Sequence, residues 1–367
     1  MNSGERTYTG MRGVGALIVA FYHFRLEIPD QVAFNATTLN IFTELHVFLD
    51  MFFLVSGVVI FTVYSNLFEK GTSRSAIKKY LMARLARIYP LHIFALLLVL
   101  LLQVSRPLAG ALGLIDTDAT IFDGAAYSVG AFLSNLFMLQ SLGLHDTLTW
   151  NAPSWTISVE MVAYLAFIVM FAVPKQFRIA YQIVIVAISM GILAWVMPGH
   201  PVGSLDLSYD YGLFRCLAGF MIGGLIYEVA RRDIWESPVP MNIAQAVGFV
   251  LFVCMLLFSW YDLVVYPILA LLMWGLRSES GPIGRLVKGR LCYWLGEISY
   301  SIYMLHFIVI LYMLSLKQLE ISWLAPLFAP ENVWIKIAVM FAITISASAV
   351  TFRWVEEPAR KWFKNLG

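Results

Sequence analysis

Charge is what this sequence has least of. Only 13% of its residues are Asp, Glu, Lys or Arg, while 60% are hydrophobic; a soluble domain carries about 25% and about 45–50% respectively. So little charge cannot keep a folded surface in water, and a soluble globular protein is excluded. Long polar stretches are missing as well, which leaves no room for a large soluble domain. Cysteine is scarce. Cys216, Cys254 and Cys292 lie in or beside apolar runs with no paired spacing, so neither a disulfide framework nor a zinc site is expected. The first apolar run lacks a small-residue cleavage site and is read as a span, not a signal peptide. Internal repeats of the kind that mark many transporters are not visible. The net charge of +2 decides little; the placement of the charges decides more.

What is present is a series of apolar runs at residues 11–28, 46–64, 89–105, 154–173, 179–197, 211–230, 241–259, 261–276, 292–315 and 333–354. Most approach the roughly 20 residues that a helix needs to cross a bilayer. The expected fold is an all-α polytopic membrane protein, a bundle of about ten transmembrane helices forming one domain over residues 1–367. The run 128–142 is too short to span and is expected to be re-entrant or interfacial. Lys and Arg orient the bundle. Lys70 to Arg87, Lys175/Arg178, Arg231/Arg232, Arg277 to Arg290 and Arg353 to Lys364 all fall on one side if the N-terminus is cytoplasmic. The opposite loops carry little beyond Arg25, Arg106 and Lys317, so both termini are expected in the cytoplasm. The longest outward connection, about 106–153, bears Asp116, Asp118, Asp123, His145, Asp146, Trp150 and Asn151. It either closes over an acceptor or packs over the helix ends.

Ionisable residues inside such spans are costly, and are therefore candidates for function. Arg12 and His23 lie in MRGVGALIVAFYHF. Their spacing puts them about 20° apart around a helix and about 16 Å apart along it, on one face. Asp50, in HVFLDMFFLVSG, reaches a similar depth to His23 if the first two spans form a hairpin. A carboxylate there would fix the imidazole's tautomer and raise its basicity; the structural alternative is an Asp at the positive end of its helix. Arg84 and Arg87, in RLARIYPLH with Tyr89, share a helix face. Arginine forks there suit phosphate oxygens or anionic lipid. Ser154, Trp155, Ser158 and Glu160 come from PSWTISVE. Glu160 needs a partner, and Arg215 in the sixth span would pair with it or with another buried carboxylate. Ser299, Tyr303 and His306 form one polar stripe of the kind that lines a cavity. In the closing VEEP, Pro358 is expected to end the last helix and Glu356 to pair with the internal arginines.

Taken in order, six of these segments resemble the motifs of the membrane-bound acyltransferase family 3. They are Arg12 and His23 with ten residues between them, Asp50 followed by FF-x-x-SG, Arg84 to Pro90, Ser154 to Glu160, Ser299 to His306, and Glu356 to Pro358. Each is weak alone, but together they cover essentially the whole chain. The resemblance implies transfer of an acyl group, most often acetyl, from cytoplasmic acyl-CoA. The acceptor it implies is a hydroxyl of a cell-surface or exported polysaccharide, or of its lipid-linked precursor. It also implies a bacterial inner membrane. His23 would be the general base, or the nucleophile of an acyl-histidine, with Asp50 orienting it and Glu160 shaping the electrostatics. Arg12, Arg84, Arg87, Tyr89 and His306 would bind the donor, with His306 alternatively stabilising the oxyanion. Ser154, Trp155, Ser158, Arg215 and Tyr303 would complete the polar pocket. The expected partners are acyl-CoA, the sugar acceptor and membrane lipids; no metal and no nucleic acid is expected. No hydrolase-like domain of the kind some members append follows the last span, so the membrane domain is expected to finish the transfer itself.

Succinyl and small-molecule transfer (to a macrolide or a lipochito-oligosaccharide) stay open within that reading. A proton-coupled secondary transporter would use the same buried ionisable residues as a relay. The missing repeat and the Arg-x-x-Arg platform weigh against it.

Overall fold

A computed structural model of the protein describes residues 4–28, 41–69, 71–117, 120–232 and 237–364. Lys70 and Asp118 lie outside the described residues. Helices and short turns make up those residues, with no strand among them. Apart from single-turn pieces, the helices are α1 (Glu5–Phe24), α2 (Phe48–Phe68), α3 (Arg74–Ala111), α4 (Val129–Leu136), α5 (Trp155–Ala172), α6 (Arg178–Val196), α7 (Gly212–Ala230), α8 (Val239–Phe258), α9 (Val265–Gly275), α10 (Pro282–Val287), α11 (Arg290–Glu297), α12 (Ser299–Gln318), α13 (Val333–Thr351) and α14 (Glu357–Lys364).

Eight helices among the described residues are long and apolar enough to cross a membrane, so the protein is an all-α polytopic membrane protein. Two of the ten expected spans do not meet both requirements. α1 is 20 residues long, but Glu5, Arg6 and Arg12 make its first half polar. α9 has 11 residues, about 16 Å of helix against a hydrocarbon core of about 30 Å. α3 departs in the other direction. Its 38 residues run to about 57 Å, so the basic stretch from Arg74 to Arg87 and the apolar run after it form one rod. Ser73 caps its start, accepting from the Ala76 N–H. Pro90 and Pro107 lie inside it.

α2 and α7 form the central pair and pack along their length. Glycine permits this. A Cβ on Gly57 would collide with the Phe220 carbonyl, and one on Gly223 with the Leu54 carbonyl. Small residues at these contacts let two helix backbones meet, which in lipid replaces the missing hydrophobic drive between helices. α1 lies against α2, α11 and α12, and Gly10 and Gly13 bring it onto the backbones of Val287 and α11.

The 128–142 run forms the eight-residue α4 and an irregular return, docked on α3 and α5. Its backbone is satisfied by buried side chains: His92 Nε2 donates to the Asn135 carbonyl at 2.7 Å and the Ser141 N–H donates to Ser158 Oγ at 3.2 Å. At the other end of the chain Pro358 does not stop the helix. A π-helical stretch, Phe352–Glu356, leads straight into α14, where Pro358 sits in the first turn. The wide turn leads into the proline and faces Glu356 inward, where it is 1% exposed.

The glycine contacts generate a stability prediction. Gly57→Val and Gly223→Val are each expected to lower the unfolding temperature in detergent, since overpacking costs about 1–3 kcal/mol or more. Gly191→Val, where an added Cβ meets nothing, is expected to leave it within a degree or two. Differential scanning fluorimetry on the three variants checks this.

Candidate active site

Five helices contribute to one cavity. α1 supplies Arg12, α2 Ser56, α3 Arg84 and Arg87, α5 Glu160, and α12 Tyr303. The two α3 arginines face it together because residues three apart share a helix face. Arg87 Nη1 and Arg360 Nη2 both donate to Glu356 Oε2, at 2.7 and 2.6 Å, and Ser301 donates to the other carboxylate oxygen. Arg84 Nη2 donates to the Tyr64 hydroxyl, its guanidinium 4.6 Å from the centre of that ring. Arg84 Nε is buried with no hydrogen-bond partner. Glu160 accepts from Ser56 Oγ. Three guanidiniums thus line a pocket with one carboxylate on its wall and one unused, buried donor. Such a pocket suits an anion with several oxygens, because guanidinium forks match phosphate geometry and a buried N–H needs an acceptor.

Phe52 and Tyr303 also line this cavity, their ring centres 6.2 Å apart. Beyond Tyr303 lies His306, 5.7 Å away between ring centres. His306 Nε2 faces His23 Nδ1 at 3.2 Å. Each histidine donates Nδ1–H to the carbonyl four residues back in its own helix: His23 to Val19 at 3.0 Å, His306 to Ile302 at 3.2 Å. Those carbonyls select the tautomers. The one Nδ1–H of His23 is shared between the Val19 carbonyl and His306 Nε2, which accepts, and His23 Nε2 keeps a free lone pair. Neither histidine lines the arginine cavity. Next to His23, the Tyr22 hydroxyl donates to Asp206 Oδ2 at 2.7 Å. Asp206 belongs to the loop before α7. Burial works against its charge, but His46, Arg215 and the Tyr22 hydroxyl outweigh it and hold the carboxyl below its ordinary range.

Asp50 does not orient His23. It is fully buried and accepts from Arg215 Nε and Nη2 at 3.2 and 2.8 Å and from the Tyr266 hydroxyl at 2.9 Å. Arg215 gives its remaining donors to the Leu207 and His46 carbonyls at 2.7 and 3.3 Å. One expectation is corrected here: Asp50 is committed to Arg215 and not to His23. Of the two alternatives open to Arg215, Glu160 or another buried carboxylate, the second holds, and the carboxylate is Asp50. A planar fork on the neighbouring helix satisfies both carboxylate oxygens, which one imidazole N–H cannot do.

Other expected residues support the cavity without lining it. The Tyr89 hydroxyl donates to the Leu136 carbonyl at 3.1 Å. Ser154 Oγ donates to Asn135 Oδ1 and Ser158 Oγ accepts from the Ser141 N–H, both at 3.2 Å. The Trp155 ring lies 5.6 Å from the Arg215 guanidinium. These contacts fasten the start of α5.

Residues 7–353 match the acyltransferase domain of acyltransferase family 3. The chain belongs to this family. Among its relatives, acyltransferase MdmB from Streptomyces mycarofaciens is 24% identical over 381 residues, spanning 96% of this chain and 91% of that protein. Protein 2 in the picA locus of Rhizobium radiobacter is 26% identical over 155 residues, 42% of this chain and 75% of that protein. No solved structure matches.

Three site residues of this acyltransferase escape a reading of the sequence: Tyr64, Tyr164 and Tyr300. Tyr164 follows Glu160 by one turn and lines the cavity with it, and Tyr300 places its ring 5.4 Å from the Arg87 guanidinium. With 17 tyrosines in the chain, spacing alone does not single them out. The buried pair yields a prediction. Arg215→Leu is expected to cost about 3–5 kcal/mol, since it strands a buried carboxylate, while Arg215→Leu with Asp50→Leu recovers part of that loss. Thermal unfolding of the single and double variants measures both, and a wild-type temperature for Arg215→Leu would refute the pairing.

Proposed function

We propose that this acyltransferase draws its acyl group from cytoplasmic acyl-CoA, most directly acetyl-CoA. It passes the group to a hydroxyl of a cell-surface or exported polysaccharide, or of the lipid-linked precursor, across a bacterial inner membrane. The observation that carries the reading is the cavity of Arg12, Arg84 and Arg87, whose Tyr303 wall stands next to the His23–His306 pair. The phosphates of coenzyme A meet Arg84 and Arg87, the buried Nε of Arg84 being otherwise unused. The pantetheine arm, about 15–20 Å when extended, matches the roughly 16 Å of helix between Arg12 and His23. The thioester then arrives at His23 with its phosphates still clamped, once the Phe52 or Tyr303 ring swings aside.

His23 Nε2 takes the proton of the acceptor hydroxyl as its oxygen attacks the thioester carbonyl. The C–S bond breaks, the coenzyme thiolate leaves, and the imidazolium returns the proton to it. The Val19 carbonyl and His306 perform the orienting task expected of Asp50, because together they hold the Nδ1–H tautomer. Tyr22 and Asp206 stand beside His23, and the Tyr22 hydroxyl oxygen and the other Asp206 carboxylate oxygen offer acceptors to the hydroxyls of a sugar.

Two measurements test this reading. Calorimetry with acetyl-CoA is expected to show binding that weakens about 30-fold in Arg84→Ala/Arg87→Ala, the roughly 2 kcal/mol of a charge-assisted hydrogen bond. No binding of any acyl-CoA would discard the donor and favour a transporter. His23→Ala is expected to keep donor binding and unfolding temperature but lose about 10²–10⁴-fold in transfer rate; undiminished transfer would remove His23 from the chemistry.

A further inference from the structure

His46 lies in the single 3₁₀ turn Leu45–Val47 that leads into α2, and it is 4% exposed. Its Nδ1–H donates to the Thr43 carbonyl at 2.9 Å. That bond fixes the tautomer and leaves a lone pair on Nε2. Nε2 is buried without a hydrogen-bond partner among the described residues. It faces Asp262 Oδ2 at 3.7 Å, beyond hydrogen-bond reach. Glu44 closes the triangle: one ligand atom each from Glu44, His46 and Asp262 lie within 4.8 Å of one another. Toward one another, two carboxylates and an imidazole lone pair are all acceptors.

The surroundings add to the imbalance. Asp50 and Asp206 already converge on Arg215, at 2.8 and 3.9 Å, so one guanidinium answers two carboxylates before Glu44 and Asp262 are counted. Buried charge of one sign calls for a compensating cation. The supporting shell is in place as well. A backbone carbonyl on the far ring nitrogen is how metal-bound histidines are held, and Asp262 Oδ2 also accepts from the Leu205 N–H.

We infer that Glu44, His46 and Asp262 form a site for one divalent transition-metal cation, Zn²⁺ being the fitting probe. Oxygen and nitrogen ligands about 2.0–2.1 Å from a tetrahedral Zn²⁺ stand about 3.4 Å apart, close to the observed His46–Asp262 separation of 3.7 Å. Glu44 is the partly exposed member and leaves a path for the ion and a water. The cation staples the approach to α2, the turn before α9 and the loop at Leu205. The next residue of that loop, Asp206, grips Tyr22 beside His23. The site therefore braces the His23 end of the bundle. It contains no cysteine, which is why cysteine spacing gave no sign of it.

The test uses the full-length, untagged protein in detergent, stripped with a chelator and titrated with Zn²⁺. Calorimetry and elemental analysis are expected to give one Zn²⁺ per chain, and the unfolding temperature is expected to rise with added metal. Both effects are expected to weaken at least tenfold in His46→Gln and in Glu44→Gln. Glu44→Gln sits at a partly exposed position and decides the matter if His46→Gln fails to fold. Absence of bound Zn²⁺, or binding and stabilisation unchanged in Glu44→Gln, would overturn the site and leave a protonated His46 paired with Asp262.

Discussion

Arg215 and Asp50 sit where no water reaches, and a charge in that position is tolerable only when every donor and acceptor is matched. Asp50 accepts from Arg215 twice and from Tyr266, and Arg215 closes on two backbone carbonyls. The partners come from α2, α7, α9, the turn before α2 and the loop before α7. One polar knot therefore fixes five pieces of chain relative to each other. Around it apolar packing alone would specify little, because in lipid one apolar helix face is nearly as good as another. Glycines then let α2 and α7 close on the knot.

The same economy governs the site. Its charges are not scattered but sorted along α1. The arginines gather at one end, held by Glu356 and Tyr64; the histidines gather about three turns further on, held by their own helix carbonyls. Phe52 and Tyr303 stand between. The sorting keeps Arg12, Arg84 and Arg87 apart from the His23–His306 pair, while Arg25, over the Tyr22 ring at 4.3 Å, is a cation on the histidine side. The π-helical turn at Phe352–Glu356 belongs to this arrangement, since it carries Glu356 across to Arg87.

Much of this was legible without coordinates. Low charge and the apolar runs gave the architecture, and most runs fall within a few residues of a helix, because hydropathy and helix period are properties of the local chain; the basic first half of α3, Arg74 to Arg87, carries no apolar signal and reads as a loop in the sequence. Arg12 and Glu160 could be named from the cost of placing them in a span, Arg84 and Arg87 from their shared helix face and Tyr303 from its polar stripe, and they meet in one cavity. The pairing of Glu356 with Arg87 was also anticipated. The partners of Asp50 and Arg215 were not: depth along a helix can be estimated by counting, but the direction a side chain takes around the bundle depends on helix rotation and neighbours. The same gap hid the Tyr22–Asp206 contact, which joins residues 184 positions apart.

Composition and hydropathy alone place the chain in a membrane, locate its apolar runs and mark the buried residues that are too expensive to be idle. Which of those residues face each other was settled by the packing of the helices. It turned Asp50 away from His23 and toward Arg215, set His306 in its place, and brought Glu44 and His46 to Asp262. The physical reason is range. Hydrophobic period and capping act within a turn or two, while ion pairs and metal-ready clusters are settled by helix-to-helix geometry, which no local pattern encodes.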